Sequence, residues 1–313
     1  MLIGEQVQAY FIINTDLVIV KNDLIFFNDI SGLISSIIQN INVVREKDLI
    51  HKEFGRSVDP LVRDHILSSN KNGERLTVTI MFLDIRNFTT LSEKLGPGET
   101  VLFLNNIFEN CHKIVKNNGG FINKFTGDGF MAVFGALKAN DFHEKDGTIA
   151  ALEIIKTINT PIGIGITSGE VLAGEIGSDE RMEYTVIGDT VNIASRIEGM
   201  CKTFNSKLLI SDSTFKMIKE HLPCYRNLGK FRLKGKNEPI LIYDIINPQG
   251  CFTQDFITGI TSFYSGNFNF AKEIFTNILE FFPNDYASKW YISKCQEYEY
   301  AKDWDGVITL INK

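Results

Sequence analysis

The sequence predicts an α+β fold of the ferredoxin-like, split βαβ kind, and three observations carry that reading. Between residues 77 and 247, short apolar runs and longer amphipathic segments follow the order strand, helix, hairpin, helix, strand. Apolar residues make up 44% of the chain against 22% charged, enough for a sizeable core and too many for general disorder. A length of 313 residues holds two domains and an appendage at about 150 residues per domain. The mixed sheet of such a domain is expected to carry helices on one face.

Residues 1–44 hold two β-prone runs, Gln8–Ile13 and Leu17–Val20, then Leu24–Phe27 and a helix over Ser31–Ile41. No chemistry is visible there, and a small sensory or dimerising module and plain packing both remain open. Residues 45–76 read as a helical linker, with Leu49, Ile50, Phe54, Leu61, Val62 and Ile66 at helical spacing. Pro60 suits the first turn of a second helix, and Asn70–Gly73 breaks the chain.

VTIMFLDI, ending at Ile85, is a buried strand. The segment from Gly98 is an amphipathic helix, with Val101, Leu104, Phe108 and Val115 among its apolar positions. FINKF and FMAVFG flank the Gly-rich turn TGDG and form a hairpin. DGTIAALEIIKTIN is a second helix, PIGIGITSGEV and MEYTVIGD are strands, and VNIASRIEGMCKTF is a third helix. KLLIS, a short helix ending near His221, YRNLGKFRLKG and PILIYDII complete the region, and residues 247–250 (NPQG) form a linker. Residues 251–313 are a helical tail in which Gly259, Gly266, Phe268, Ala271, Phe275 and Pro283 fit tetratricopeptide spacing. One repeat cannot bury its apolar face alone, so the tail is expected to dock on the adjacent domain or on a second copy.

Thirty-two Lys and Arg stand against 38 Asp and Glu, a net charge of −6. That balance argues against nucleic acid as a partner. Five scattered cysteines without paired spacing read as reduced thiols of a cytoplasmic protein. No stretch reaches the roughly 20 apolar residues of a membrane span.

Asp84 ends a strand that is otherwise apolar, and Asp128 sits in the hairpin turn. Each alone could be a turn or cap residue. In the split βαβ order they fall at the ends of neighbouring central strands, where two carboxylates repel unless cations neutralise them. Oxygen ligands suit Mg²⁺ or Mn²⁺. After Asp84, Ile85–Thr89 opens a helix whose free N–H groups can receive phosphate. Asn192 and Arg196 are four apart and share a helix face, either a solvated polar face or a phosphate and sugar contact. Asp189 reads as the cap of that helix. Lys124 lies among apolar neighbours, where its amine needs an acceptor.

FLDIRNFT, NKFTGDGFMAVFG, GITSGEVLAGEIGS and EYTVIGDTVNIASRIEG together resemble the class III nucleotidyl cyclase catalytic domain. FGRSVDPLVRDHIL resembles the helical transducer that often precedes it. The resemblance implies that Asp84 and Asp128, with the Ile85 carbonyl, bind two Mg²⁺ or Mn²⁺ ions per site. It places Phe88 and Thr89 in the triphosphate loop and makes Lys124 and Thr185 the purine-reading pair. It makes Asn192 the ribose-orienting residue, Arg196 the transition-state stabiliser, and Lys234 and Arg181 phosphate contacts. It implies an adenylate cyclase acting on ATP as a head-to-tail homodimer, with guanylate cyclase and a non-catalytic nucleotide sensor as alternatives. Lys124 favours adenine, whose N1 accepts a proton that guanine N1 already carries. A protein partner of the C-terminal tail is a further expectation.

Overall fold

A computed structural model describes residues 2–3, 6–7, 21–54, 59–68, 73–137, 140–178, 181–222, 224–233, 238–245, 253–299 and 304–309. The chain divides into two units, Met1–Arg63 and Asp64–Lys313. In the first, β1 (Leu2–Ile3) pairs antiparallel with β2 (Gln6–Val7), and α1 runs from Lys21 to Phe54. Apolar residues recur every three or four positions through Ile30, Ile34, Ile37, Ile41 and Val44 without a proline, so the helix expected over Ser31–Ile41 continues in both directions. The β-prone runs Gln8–Ile13 and Leu17–Val20 lie outside the described residues. Helix α2 (Pro60–Ser68) begins at Pro60, and the Asp59 carboxylate accepts from the Leu61 N–H at 2.9 Å, closing one orphan donor of the first turn.

The second unit is built on β3 (Glu74–Ile85), β4 (Gly120–Thr126), β5 (Gly129–Phe134), β6 (Ile162–Ser178), β7 (Arg181–Ile187), β8 (Leu208–Ser211), β9 (Arg226–Arg232), β10 (Ile240–Asp244) and β11 (Ile308–Thr309). Their order is β11-β9-β10-β8-β6-β3-β5-β4, with β7 paired to the far half of β6. The β6–β8 and β11–β9 pairings are parallel and the others antiparallel. A mixed α/β sheet with flanking helices and a helical tail therefore stands as expected.

Side-chain alternation splits the core in two. Met81, Leu83 and Ile85 of β3, Phe130, Ala132 and Phe134 of β5, and Ile162, Ile164 and Ile166 of β6 point to one face. Helices α4 (Pro97–Asn117), α5 (His143–Thr157) and α7 (Asp212–Ile218) cover it through Cys111, Val115, Ala151, Ile154 and Phe215. The alternate positions of β6 are Gly163 and Gly165, and here the expectation of helices on one face fails. Helix α6 (Asp189–Phe204) lies against the opposite face. A Cβ on Gly165 would stand 2.2 Å from the Glu198 nitrogen and 2.7 Å from the Ala194 carbonyl. Only a bare backbone admits the helix so close. Gly165→Ala is expected to cost about 1–3 kcal/mol by forcing α6 off the sheet, read as a lower midpoint in chemical denaturation; an unchanged midpoint would show that α6 can lift freely.

Helices α8 (Thr253–Tyr264), α9 (Phe268–Phe281) and α10 (Tyr286–Tyr298) close this second face. Phe256, Phe263, Phe275 and Tyr291 pack with Leu228 and Phe231 of β9, Ile242 of β10, and Ile197, Met200 and Phe204 of α6. The tail thus docks on the adjacent sheet. Arg226 is buried between Asp244 at 3.0 Å and Asp285 at 2.7 Å, with its guanidinium 4.8 Å from the Phe256 ring centroid. Asp285 also caps α10, accepting from the Ser288 N–H at 3.0 Å. A buried cation with two carboxylates survives because every charge has a partner.

Cys111, Cys201 and Cys295 are free and buried, whereas Cys224 is disulfide-bonded. The reading of five reduced thiols fails at Cys224, because spacing along the chain does not show which thiols the fold brings together. Among the described residues, no helix is long and apolar enough to cross a membrane.

Candidate active site

Strands β3 and β5 pair with Asp84 opposite Gly129, and Gly127 and Asp128 form the two-residue turn between β4 and β5. Gly127 adopts φ 72°, which an L side chain resists, and a Cβ on Gly129 would stand 2.2 Å from the Leu83 carbonyl and 3.2 Å from Asp84 Oδ1. The two glycines let the turn fold back over the end of β3. The register brings the two carboxyl groups close together there, near enough for the Asp128 charge to act on Asp84. Burial first, then the Asp128 charge, hold the Asp84 carboxyl above the usual range, against the pull of Arg86.

Two acidic side chains close together, with the Ile85 backbone beside them, make an oxygen-only donor set. That chemistry fits a hard divalent cation, whose charge would relieve the repulsion. Among the described residues no group of three or more His, Cys, Asp and Glu side chains forms a cation cage.

Arg86 ties this corner to α6. Its Nη2 donates to the Glu198 carbonyl at 3.1 Å and lies 2.9 Å from Glu198 Oε1. Burial pushes the Glu198 carboxyl up to about 7, opposed by Arg86 and reinforced by the Asp84 and Asp128 charges. A Cβ on Gly163 would meet Arg86 Nη2 at 1.6 Å, so this glycine clears the guanidinium's path. Neither Arg86 nor Glu198 was assigned a role from the sequence, and nothing in their local pattern marks them as a pair 112 residues apart.

After β3, Asn87 takes a left-handed φ of 57° and starts α3 (Phe88–Leu95). Phe88 packs into the core beneath the sheet while Thr89 is exposed. The side chain of Phe88 is therefore an anchor, and its contribution toward a ligand is the unpaired N–H of a first helical turn. Asp189 lies in the first turn of α6, with Gly188 at the cap position expected for the aspartate.

Asn192 is exposed and Arg196 half-buried on α6, and Lys124 is exposed on β4. Glu198 faces the carboxylates, and Arg196, two residues earlier, is rotated by about 200° around the helix. Within one copy, then, Arg196 turns away from Asp84 and Asp128.

Thr185 is tied to Asn123, the residue before Lys124 on β4. The Thr185 hydroxyl donates to Asn123 Oδ1 at 3.0 Å, and Asn123 Nδ2 donates to the Tyr184 carbonyl at 2.9 Å. Sequence reasoning missed Asn123, whose position depends on a bulge between β4 and β5. Lys234 lies outside the described residues, as does the side chain of Arg181, whose backbone pairs with Ser178 on the β6–β7 hairpin. A concavity lined by Thr167, Ser168, Thr190, Asp212 and Lys230 is separate and contains none of the sequence-predicted site residues.

The family model described as the Adenylate and Guanylate cyclase catalytic domain matches residues 71–247, over half of the chain. Adenylate cyclase 1 of Rhizobium meliloti is 34% identical over 202 residues, covering 59% of this chain and 30% of its own length. A bacterial light-regulated adenylyl cyclase superposes with a TM-score of 0.54 at 26% identity, over 68% of this chain and 63% of that one. The catalytic core of a rhodopsin-guanylyl cyclase with converted specificity, in complex with ATPαS, gives 0.50 at 31% identity over 56% and 98%. The chain spans 11%, 30% and 36% of three curated relatives it matches.

Proposed function

The chain belongs to the adenylate and guanylate cyclase catalytic domain family, and from that premise we propose that it converts ATP to 3′,5′-cyclic AMP and pyrophosphate. The observation that carries this reading is the register that sets Asp128, in the β4–β5 turn, beside Asp84 at the end of β3. In this reading the site lies between two copies arranged head to tail, with C₂ symmetry supplying two equivalent sites. One copy brings Asp84, Asp128 and the Ile85 carbonyl; its partner brings Lys124, Thr185, Asn192 and Arg196. The rotation of Arg196 away from Glu198 supports the division.

Asp84, Asp128 and the Ile85 carbonyl would hold two Mg²⁺ or Mn²⁺ ions, which when bound acidify the ribose 3′-hydroxyl and neutralise phosphate charge. The N–H groups of Phe88 and Thr89 receive triphosphate oxygens, with Arg181 and Lys234 as further phosphate contacts. Asn192 orients the ribose so that its 3′-oxygen lies in line with the α-phosphorus. A bond forms from that oxygen to the α-phosphorus as the bond to the bridging oxygen breaks. The 3′-hydroxyl proton is released and pyrophosphate leaves. Arg196 stabilises the charge that builds on the α-phosphate and leaving oxygen. Lys124 donates to adenine N1 and Thr185 accepts from N6.

The test is product identity: purified chain with Mn²⁺ is expected to release cyclic AMP and equimolar pyrophosphate from ATP, with GTP the poorer substrate. Nucleotide binding without any cyclic product would leave the sensor reading in its place, and a preference for GTP the guanylate one.

A further inference from the structure

We infer that Asn123 locks the Thr185 hydroxyl as a hydrogen-bond acceptor toward the base and so makes the pocket selective for a purine bearing a 6-amino group. The inference rests on the reading above, in which Lys124 and Thr185 hold the purine, and it adds the residue that decides what Thr185 can recognise.

The register of β4 against β5 shifts between Ile122, opposite Ala132, and Lys124, opposite Met131. Asn123 is the extra residue of that bulge, and a bulge turns a side chain out of the regular alternation. It reaches β7, where it is held at both ends of its amide. The Tyr184 carbonyl can only accept, so the amide atom 2.9 Å from it must be the NH₂ group. That fixes Oδ1 toward Thr185. Oδ1 can also only accept, so the Thr185 hydroxyl 3.0 Å away must spend its single proton on it.

What Thr185 has left is lone pairs. Thr185 is 9% exposed, so water has little access to take over either bond. The segment that carries the Tyr184 carbonyl is pinned by its own ring, which packs edge-on to His65 at 5.3 Å and tilted to Phe121 at 6.3 Å between centroids.

The chemical consequence follows from the two kinds of purine. A 6-amino group offers protons to the waiting lone pairs. A 6-oxo group offers none and meets lone pair with lone pair. A hydroxyl free to rotate would serve both, donating to one and accepting from the other. Lys124 cannot impose the choice alone, because an ammonium on a flexible stem can swing from a ring nitrogen to a 6-oxo oxygen. Asn123 is thus a positioning residue: it acts through Thr185 and need not touch the nucleotide.

ATP and inosine triphosphate probe this cleanly, since they differ only at C6 and the adjoining N1 proton. In Asn123→Ala the ratio of kcat/KM for ATP over inosine triphosphate is expected to fall about tenfold, the worth of one hydrogen bond, chiefly through a gain with inosine triphosphate. Asn123→Asp keeps an acceptor toward Thr185 but loses the donor toward the Tyr184 carbonyl, so its ratio is expected to fall between those of the wild type and Asn123→Ala. A residue that merely supported the fold would lower both substrates together and leave the ratio alone. If Asn123→Ala does not fold, Asn123→Ser, too short to reach both partners, takes its place. An unchanged ratio in the short variants, alongside a ratio that collapses in Thr185→Val, would overturn the role of Asn123. A ratio untouched by Thr185→Val would instead overturn the base-reading pair beneath it.

Discussion

Replacing Arg196 by alanine is expected to lower turnover by about 10²–10³-fold, about 3–4 kcal/mol of transition-state support, while ATP binding persists. Among the described residues no hydrogen bond or ion pair engages the Arg196 guanidinium, although it is half-buried. Its removal therefore breaks no hydrogen bond or ion pair among the described residues, and the melting temperature should stay near that of the wild type. A fixed fork of donors beside the α-phosphate has most to offer when negative charge builds there, so kcat should fall much more than affinity. Single-turnover rates with titration of a non-cyclisable ATP analogue separate the two. Wild-type turnover in the variant would remove Arg196 from the chemistry.

Chains carrying Asp84→Ala and chains carrying Asn192→Ala are each expected to be nearly inactive, and mixing them should restore activity. In a mixed dimer both lesions fall on one composite site and the other is intact. With random exchange half the dimers are mixed, so an equimolar mixture should recover about a quarter of the wild-type rate. The rate of recovery follows subunit exchange, measured in parallel by native mass spectrometry. Mixed dimers that form and remain silent would mean the two residues serve the same site from one copy.

The elements around the site were largely legible in the sequence, and the reasons are local. Continuous apolar runs on either side of a two-residue turn containing Gly127 can hardly be anything but a hairpin, and its pairing with β3 puts Asp128 beside Asp84. Asp59 and Pro60 likewise announce a helix start from their own chemistry. What stayed hidden depends on contacts across the chain. The alternation of glycine and isoleucine in Ile162–Ile166 held a readable clue, since bare positions between apolar ones mark close backbone approach, yet it does not say that α6 is the visitor. The Arg86–Glu198 pair and the Asn123 bridge form only after β3, β4, β7 and α6 have taken their registers. A bulge shifts register by one residue without leaving a mark in composition.

At one margin of the sheet, Phe231 and Arg232 at the end of β9 pair with Ile308 and Thr309 of β11, and Arg232 reaches Asp305 at 3.0 Å and the Thr309 hydroxyl at 3.2 Å. A bare strand margin is sticky, because its unsatisfied amides recruit any extended peptide that drifts past. The closing residues of the tail act as a selvedge. They pair the end of β9 internally and so help keep crowded chains from stitching themselves together at this corner.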